Sequence, residues 1–595
     1  MGAITHRGIK AISLENFRAL NVDELSLKPI TVLCGVNSAG KSSFLKSALL
    51  MKQIAGEANI RKEILPLKGN LVDLGTYYNL VKDHELYDPD TRDSNSITIR
   101  LSFPCRGLHS RLFYLHGAET VDFELCFGPG EDSPSAPPRF RYYKAAVRGG
   151  AEAGELATLT IIRDEILGYR AVGSGKKASG LNVKNFENAQ KVLESFAKTA
   201  ASSGKGGAVA YPFAYTEAEQ LLLFYKDFCT KHVDNAERLR LWEEAFTSWV
   251  LADKSVSVQR MDEINIKWGR DYGYKLFEQT GDDSFLTNAG SFSKEYSLRG
   301  CPFTQGLQID TTDWIGCGEY LEELVQIFQA EVSLRGELAE IRYLGPIREF
   351  PHRYQVYKDG DELTLGLRGE NAPYIMSTRQ KELLKKPWHV DDDAGSFWQD
   401  TDSTLGEEIN YWATRMGIGE IQCTPNKDIY PGLVTAKVGR VTGTVKVESD
   451  LTDVGFGISQ VFPVLVGGLE MPEGSTLFIE QPEVHLHPGM QGDLADFFIA
   501  TALSGKQYVL ETHSDHIINR LVRRIVEDGL ESECIGLADL VQIYFVDRNE
   551  DGETVFISIE VDDYTGINWP EGFFDEADRE QSQILTAIVE KQRRQ

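Results

Sequence analysis

The stretch Gly35-Val36-Asn37-Ser38-Ala39-Gly40-Lys41-Ser42 constrains what this chain can fold into more than any other. It has the spacing G-x-x-x-x-G-K-S, and its flanks fit the same reading. Pro29-Ile30-Thr31-Val32-Leu33-Cys34, just before it, is short, apolar and β-branched, the composition of a buried strand. Ser43-Phe44-Leu45-Lys46-Ser47-Ala48-Leu49-Leu50, just after it, has helical composition. A strand, a glycine loop and a helix N-terminus in that order make a phosphate cradle. The glycines let backbone N–H groups turn inward, and the helix start adds partial positive charge. Gly35, Asn37, Ser38, Gly40, Lys41, Ser42 and Ser43 are therefore candidate nucleotide-binding residues. Lys41 is expected to reach the β- and γ-phosphates, and the Ser42 hydroxyl to hold Mg²⁺.

Such a loop needs a substantial core behind it, and 595 residues with 42% hydrophobic and 25% charged side chains allow one. No apolar run approaches the roughly 18 residues of a membrane span. The N-terminal segment Met1-Gly2-Ala3-Ile4-Thr5-His6-Arg7 lacks an apolar signal core. Neither membrane nor secretion is therefore expected. The eight cysteines, at 34, 105, 126, 229, 301, 317, 423 and 534, form no C-x-x-C pair, which fits reduced thiols in a cytoplasm. A net charge of −27 repels nucleic-acid phosphates at long range, so any such contact needs a local basic groove. Arg520, Arg523 and Arg524, or Arg379, Lys381, Lys385 and Lys386, are short clusters that solvated helix faces explain equally well.

Three regions follow along the chain. Residues 1–130 read as a first lobe, with strand-like Ile9–Phe17, the phosphate loop, and further strands over Ser96–Phe103 and Thr120–Leu125. The turn-rich Gly128–Pro138 marks its edge. Residues 131–340 read as a mainly helical insertion. In it, Phe186, Ala189, Val192, Leu193 and Phe196 share a helical face, as do Leu239, Trp242, Phe246, Trp249 and Val250, and Leu321, Leu324, Val325 and Phe328. Gly173-Ser174-Gly175-Lys176-Lys177 and Gly204-Lys205-Gly206-Gly207 lack the phosphate-loop spacing and read as flexible loops. Residues 341–595 form the second lobe.

That second lobe supplies the carboxylate a phosphate loop needs on a neighbouring strand. Gly474-Ser475-Thr476-Leu477-Phe478-Ile479-Glu480-Gln481-Pro482-Glu483 is an apolar strand ending in an acid. A second buried strand, Gln507-Tyr508-Val509-Leu510-Glu511, runs into Thr512-His513-Ser514-Asp515. His485 and His487 could separately be read, with His513, as a metal-binding H-x-H arrangement.

Taken together, these segments resemble an ABC-type ATPase head of the SMC, Rad50 and RecF kind, an α/β fold with a mixed β-sheet lobe and an insertion of variable length. The resemblance implies ATP and Mg²⁺ as cofactors, with Glu480 joining Ser42 in the metal shell. It places the signature loop at Asp453-Val454-Gly455-Phe456-Gly457-Ile458-Ser459-Gln460, with Gly455, Gly457 and Ser459 meeting the nucleotide of a partner head in a homodimer or higher oligomer. It makes His513 the switch histidine that senses the γ-phosphate.

More narrowly, Leu71–Gly75, Tyr343–Glu349, Glu511–Asp515 and Trp569–Asp575 resemble bacterial ATPases of anti-phage defence operons, of the Septu-like or PARIS-like kind. This implies an effector, a nuclease or toxin, encoded nearby. A DNA repair ATPase acting directly on DNA is the alternative. The chain departs from the head pattern at one point. Gln481 stands where these heads carry a glutamate, so the general base, typically worth about 10²–10⁴-fold, is missing there, and Glu483 is a candidate substitute.

Overall fold

A computed structural model describes residues 8–175, 296–297, 308–309, 334–562, 566–567 and 583, apart from 57–64, 87–94, 106–117, 130–136, 150–154, 165–167, 335, 358–363, 392–394, 427–431, 443–444 and 529–534. The expected helical faces between residues 186 and 328, Gly204–Gly207 and Trp569–Asp575 lie outside the described residues.

Among the described residues, one 13-stranded sheet organises the fold. Its first strands are β1 (Ala11–Phe17), β2 (Leu20–Ser26), β3 (Ile30–Gly35), β4 (Ile97–Pro104) and β5 (Ala118–Gly128). β6 (Arg139–Gly149), β7 (Glu155–Asp164) and β8 (Gly168–Gly175) continue it. The second lobe adds β9 (Ile341–Leu344), and a separate small antiparallel sheet contains β10 (Glu420–Pro425), β11 (Leu433–Thr442) and β12 (Val445–Asp450). β13 (Thr476–Glu480), β14 (Gln507–Glu511), β15 (Val541–Arg548) and β16 (Thr554–Ile559) complete the large sheet. Its spatial order is β9-β13-β14-β3-β15-β16-β2-β1-β4-β5-β6-β7-β8.

The strands from β9 to β15 run parallel, and most of the remainder pair antiparallel. Every residue of β3, β13 and β14 is buried, as a parallel strand covered on both faces requires. The period-2 alternation of these strands divides two cores. Leu33, Phe478, Val509 and Val546 point to one side, where α1 (Lys41–Gly56) supplies Phe44, Leu45 and Ala48. Val32, Ile479, Leu510 and Phe545 point to the other, against Val461, Leu465, Phe498 and Ile517.

The helices on that second side are α2 (Ala372–Arg379), α3 (Leu405–Arg415), α4 (Phe456–Glu470), α5 (Pro488–Leu503) and α6 (Asp515–Asp528). Thr404 starts α3 with a reciprocal capping box to Glu407, satisfying N–H groups that a helix start leaves open.

Two readings change. Gly173-Ser174-Gly175 is not a loop: it lies in β8 and pairs antiparallel with Leu159, Thr158 and Ala157 of β7. Strand pairing overrides the weak β preference of glycine there. The sheet of the first lobe thus runs past residue 131 to Gly175. Part of each basic cluster is also more than a solvated face, while Arg523, Lys381, Lys385 and Lys386 are exposed. Arg520 and Arg524 converge on the fully buried Asp496, at 2.7 and 2.8 Å, and Arg415 joins them at 3.4 Å. Arg379 donates to the buried Glu470 at 2.6 Å. Buried carboxylates are paired because an isolated buried charge is costly.

Candidate nucleotide site

The site lies at the C-terminal edge of the parallel strands, where β3 turns into the loop and α1 begins. Gly35 has φ 125° and Gly40 φ 116°, which L side chains rarely adopt. A Cβ at Gly35 would lie 2.2 Å from the Val546 carbonyl oxygen, and one at Gly40 2.5 Å from Thr554 Oγ1. Both glycines are thus required by backbone conformation and by close approach.

β15 and β16 brace the loop from outside: Val36 N donates to Val546 O (3.1 Å), Arg548 Nη2 to Ser38 O (2.6 Å) and Thr554 Oγ1 to Ala39 O (2.6 Å). Asn37 and Ser38 remain exposed at its crest. Lys41 is 3% exposed and arches over the loop, donating through Nζ to Gly35 O (3.0 Å) and Val36 O (2.7 Å). Burial lowers its pKa, and Glu511 works against that shift.

β14 lies between β13 and β3, so its C-terminal residue sits between the acid strand and the phosphate loop. Glu511 is the register partner of Glu480 on one side and of Leu33 on the other. Ser42 Oγ donates to Glu511 Oε2 at 2.7 Å. Tyr343 at the end of β9 donates its hydroxyl to Glu480 Oε1, also at 2.7 Å. Burial raises the Glu511 pKa, and the Glu480 charge adds to it, while the Ser42 hydrogen bond opposes it. His513 is half-buried, and its pKa is lowered first by burial and then by Lys41. Lys41, Ser42, Glu480, Glu511 and His513 therefore form one electrostatically connected group.

Gln481 leaves β13 at φ 47°, a left-handed conformation uncommon for a non-glycine residue. Two hydrogen bonds hold it there: Gln481 N donates to Glu511 O (2.7 Å), and Arg348 Nη1 donates to Gln481 O (2.9 Å). Arg348 is buried, and burial pulls its pKa down to about 10. Glu483 Oε1 accepts from His513 N at 2.9 Å, tying the exit of β13 to the exit of β14. Burial raises the Glu483 pKa, offset in part by that hydrogen bond.

The segment Asp453–Gln460, expected as a signature loop, forms a separate cluster. Gly455 precedes α4, and a Cβ added to it would meet open space. Gly457 packs under the His485 carbonyl, where a Cβ would lie 2.4 Å from its oxygen. Ser459 is 4% exposed, and its hydroxyl donates back to Phe456 O at 2.7 Å. Asp453, Gly455 and Phe456 are the exposed residues of this loop: Asp453 pairs with Arg353 at 3.2 Å, and Phe456 lies beside Phe350 (ring centroids 5.3 Å apart) and His485 (4.8 Å). The described contacts of these residues run to Arg353, Phe350 and His485 rather than to the phosphate loop. His487 caps α5, its Nδ1 accepting from Gly489 N at 3.2 Å. Among the described residues no group of three or more His, Cys, Asp or Glu gathers as a metal site.

Four residues of this site carried no assigned role in the sequence: Glu511, Tyr343, Arg348 and Arg18. Arg18, at φ 58°, donates to Ser43 Oγ at 2.9 Å and adds a second cation at the start of α1. Glu511 had a visible signal, an acid ending a buried strand two residues before His513. Arg18 had none, since only the tertiary fold brings it to Ser43.

The fit to a nucleotide and its cation can be tested on these residues. The loop around Gly35 and Gly40 admits no side chain, as a backbone cradle for phosphates requires. The donors beside it are oxygens, from Ser42, Glu480 and Glu511, which suit a hard cation such as Mg²⁺.

Fold and site together define a mixed α/β P-loop ATPase. The chain belongs to the AAA ATPase domain family, whose model matches residues 8–205 and 378–518, more than half of its length. Residues 538–584 match a second family, described as a protein of unknown function (DUF3696). No curated protein matches the chain. Among solved structures, the Smc head domain with an extended coiled coil bound to the C-terminal domain of ScpA, from Pyrococcus furiosus, aligns at 10% identity with a TM-score of 0.32, covering 98% of this chain and 99% of that one. The SMC head domain from Thermotoga maritima aligns at 8% identity with a TM-score of 0.32, covering 93% of this chain and 100% of that one.

Proposed function

We propose that this chain is a nucleotide-gated switch: it binds ATP with Mg²⁺, self-associates through its ATPase heads in response, hydrolyses ATP slowly, and so controls a separately encoded effector. The observation that carries the reading is the junction at Ser42, where a complete phosphate loop and two strand-end carboxylates, Glu480 and Glu511, converge. Mg²⁺ bound there would neutralise charge on the β- and γ-phosphates during phosphoryl transfer. The chain's own part is to cradle the phosphates with the loop N–H groups, to pair them with Lys41, and to hold the metal with Ser42 and Glu480.

Slow turnover follows from Gln481, which can orient a water through its amide but cannot take its proton. His513 lies near Lys41 in the electrostatics of the site, where a γ-phosphate would be sensed. Self-association is supported by the exposed Gly455 and by the exposed Phe456 next to it, whose ring lies against the exposed Phe350. Exposed apolar patches of this kind mark interaction surfaces, and we assign this one to a second copy of the chain. Action on a separate effector fits Arg379, Arg520 and Arg524, which are engaged with Glu470 or Asp496 rather than offered to nucleic acid, while Arg523, Lys381, Lys385 and Lys386 stay exposed beside them. The resemblance to ATPases of anti-phage defence operons makes a nuclease or toxin encoded nearby the expected effector, and the cytoplasm the expected compartment.

The test is ATP turnover by the purified chain alone and with the product of the neighbouring gene. We expect slow turnover alone and nucleotide-dependent binding of that product. Fast turnover stimulated directly by DNA, with no such partner, would support the DNA repair reading instead.

A further inference from the structure

The hydrogen bond from Ser42 Oγ to Glu511 Oε2, at 2.7 Å, has a chemical meaning beyond packing. A serine hydroxyl that offers its lone pair to a divalent cation must direct its proton elsewhere, into an acceptor on the far side. Glu511 is that acceptor. It stands on the strand between the phosphate-loop strand and the acid strand, and it is backed by main-chain bonds on both sides: its carbonyl accepts from Gln481 N (2.7 Å), and the next residue, Thr512, donates to Leu33 O (3.1 Å). Glu511 is 7% exposed, and its register partner Glu480 6%. Two buried carboxylates side by side are costly unless cationic charge is shared between them.

We propose that Glu511 is a positioning residue for the divalent cation: it orients the Ser42 hydroxyl toward the metal and adds negative charge to a shell in which Glu480 alone ends the acid strand. This rests on the nucleotide-site reading above. Outer partners of metal ligands act in this way, and losing one typically costs about 10–100-fold in metal affinity. Gln481 gives the arrangement its sense. With no acid at that position, the neighbouring strand supplies the second carboxylate.

The test uses Mn²⁺ as the probe, followed by electron paramagnetic resonance with a non-hydrolysable ATP analogue, on the full chain. Nucleotide affinity is measured separately in excess chelator. Glu511→Gln keeps an oxygen that can accept from Ser42 but removes the charge. We expect Mn²⁺ affinity to fall about 10–100-fold, while metal-free nucleotide binds as tightly as before or more tightly, since a negative charge near the phosphates has gone. In a Ser42→Ala background, Glu511→Gln should cost clearly less than in the parent, because the share of its effect that passes through the Ser42 hydroxyl is already lost and only the charge remains to be removed.

Unchanged Mn²⁺ affinity would overturn the proposal. Parallel loss of Mn²⁺ and of metal-free nucleotide would do so too, by showing a merely structural role. An undiminished loss in the Ser42→Ala background would show that Glu511 does not act through Ser42, and would also overturn it. Failure of the unaltered chain to bind nucleotide at all would instead strike the underlying reading, and the proposal with it.

Discussion

Lys41 makes two hydrogen bonds to the loop it belongs to, so its ammonium is already held where phosphate oxygens would gather. Lys41→Ala removes a charged donor, worth about 1.5–3 kcal/mol per hydrogen bond, and ATP affinity should drop by about 10–100-fold in calorimetry. Equal affinity in variant and parent would dismiss the phosphate-loop assignment. Gln481 gives a second test. Its backbone is fixed by Arg348 and Glu511, so Gln481→Glu changes one atom type with little cost in geometry. Turnover should rise by about tenfold or more, given what general bases usually contribute. Glu483 holds the His513 N–H, and the amide of Glu483→Gln keeps an acceptor for it, so that change should leave turnover within a few-fold of the parent on the order expected for a retained hydrogen bond. If Glu483→Gln stops turnover and Gln481→Glu leaves it unchanged, the proton acceptor is Glu483.

Strands and helices around the site were legible in the sequence wherever local pattern and tertiary role agreed. The expected strand Pro29–Cys34 appears as Ile30–Gly35, and Gln507–Glu511 has the expected limits, because both are short apolar runs ended by glycine or acid. What escaped was pairing. No local pattern states that β14 inserts between β13 and β3, and that insertion is what brings Glu511 to Ser42. The same limit hid the strand character of Gly173–Gly175, which comes from its partners in β7.

A third feature of this kind sits at the end of α4, where the buried Lys506 donates to Gly468 O and Leu469 O, both at 2.7 Å. Burial lowers its pKa to about 7 from an ordinary 10.5. Between those values the unfolded chain holds a proton that the folded one lacks, so stability should rise with pH across that window. Urea unfolding of the parent and of Lys506→Met from pH 7 to 9 checks this. The parent should gain on the variant as pH rises, and parallel curves would refute the assignment.

For the whole molecule, the surface at Gly455 is the most direct test of self-association. Ser459 is unsuited to it, since its buried hydroxyl already bonds within α4, whereas a side chain at Gly455 would enter open space. Gly455→Arg should leave folding and nucleotide affinity intact while abolishing ATP-dependent association in sedimentation with ATP and Mg²⁺. A variant that still associates would move the contact to another face. The bracing of the phosphate loop also carries a consequence for how this protein is made. Arg548 and Thr554 grip a loop that precedes them by 510 and 515 residues. At about 5–20 residues per second, the ribosome needs roughly 25–100 s to deliver them. For most of that interval the nascent N-terminal segment carries Ile30–Gly35, apolar on both faces, without either neighbouring strand, β14 or β15. Translation speed and chaperone supply should therefore bear on its yield alongside its final stability.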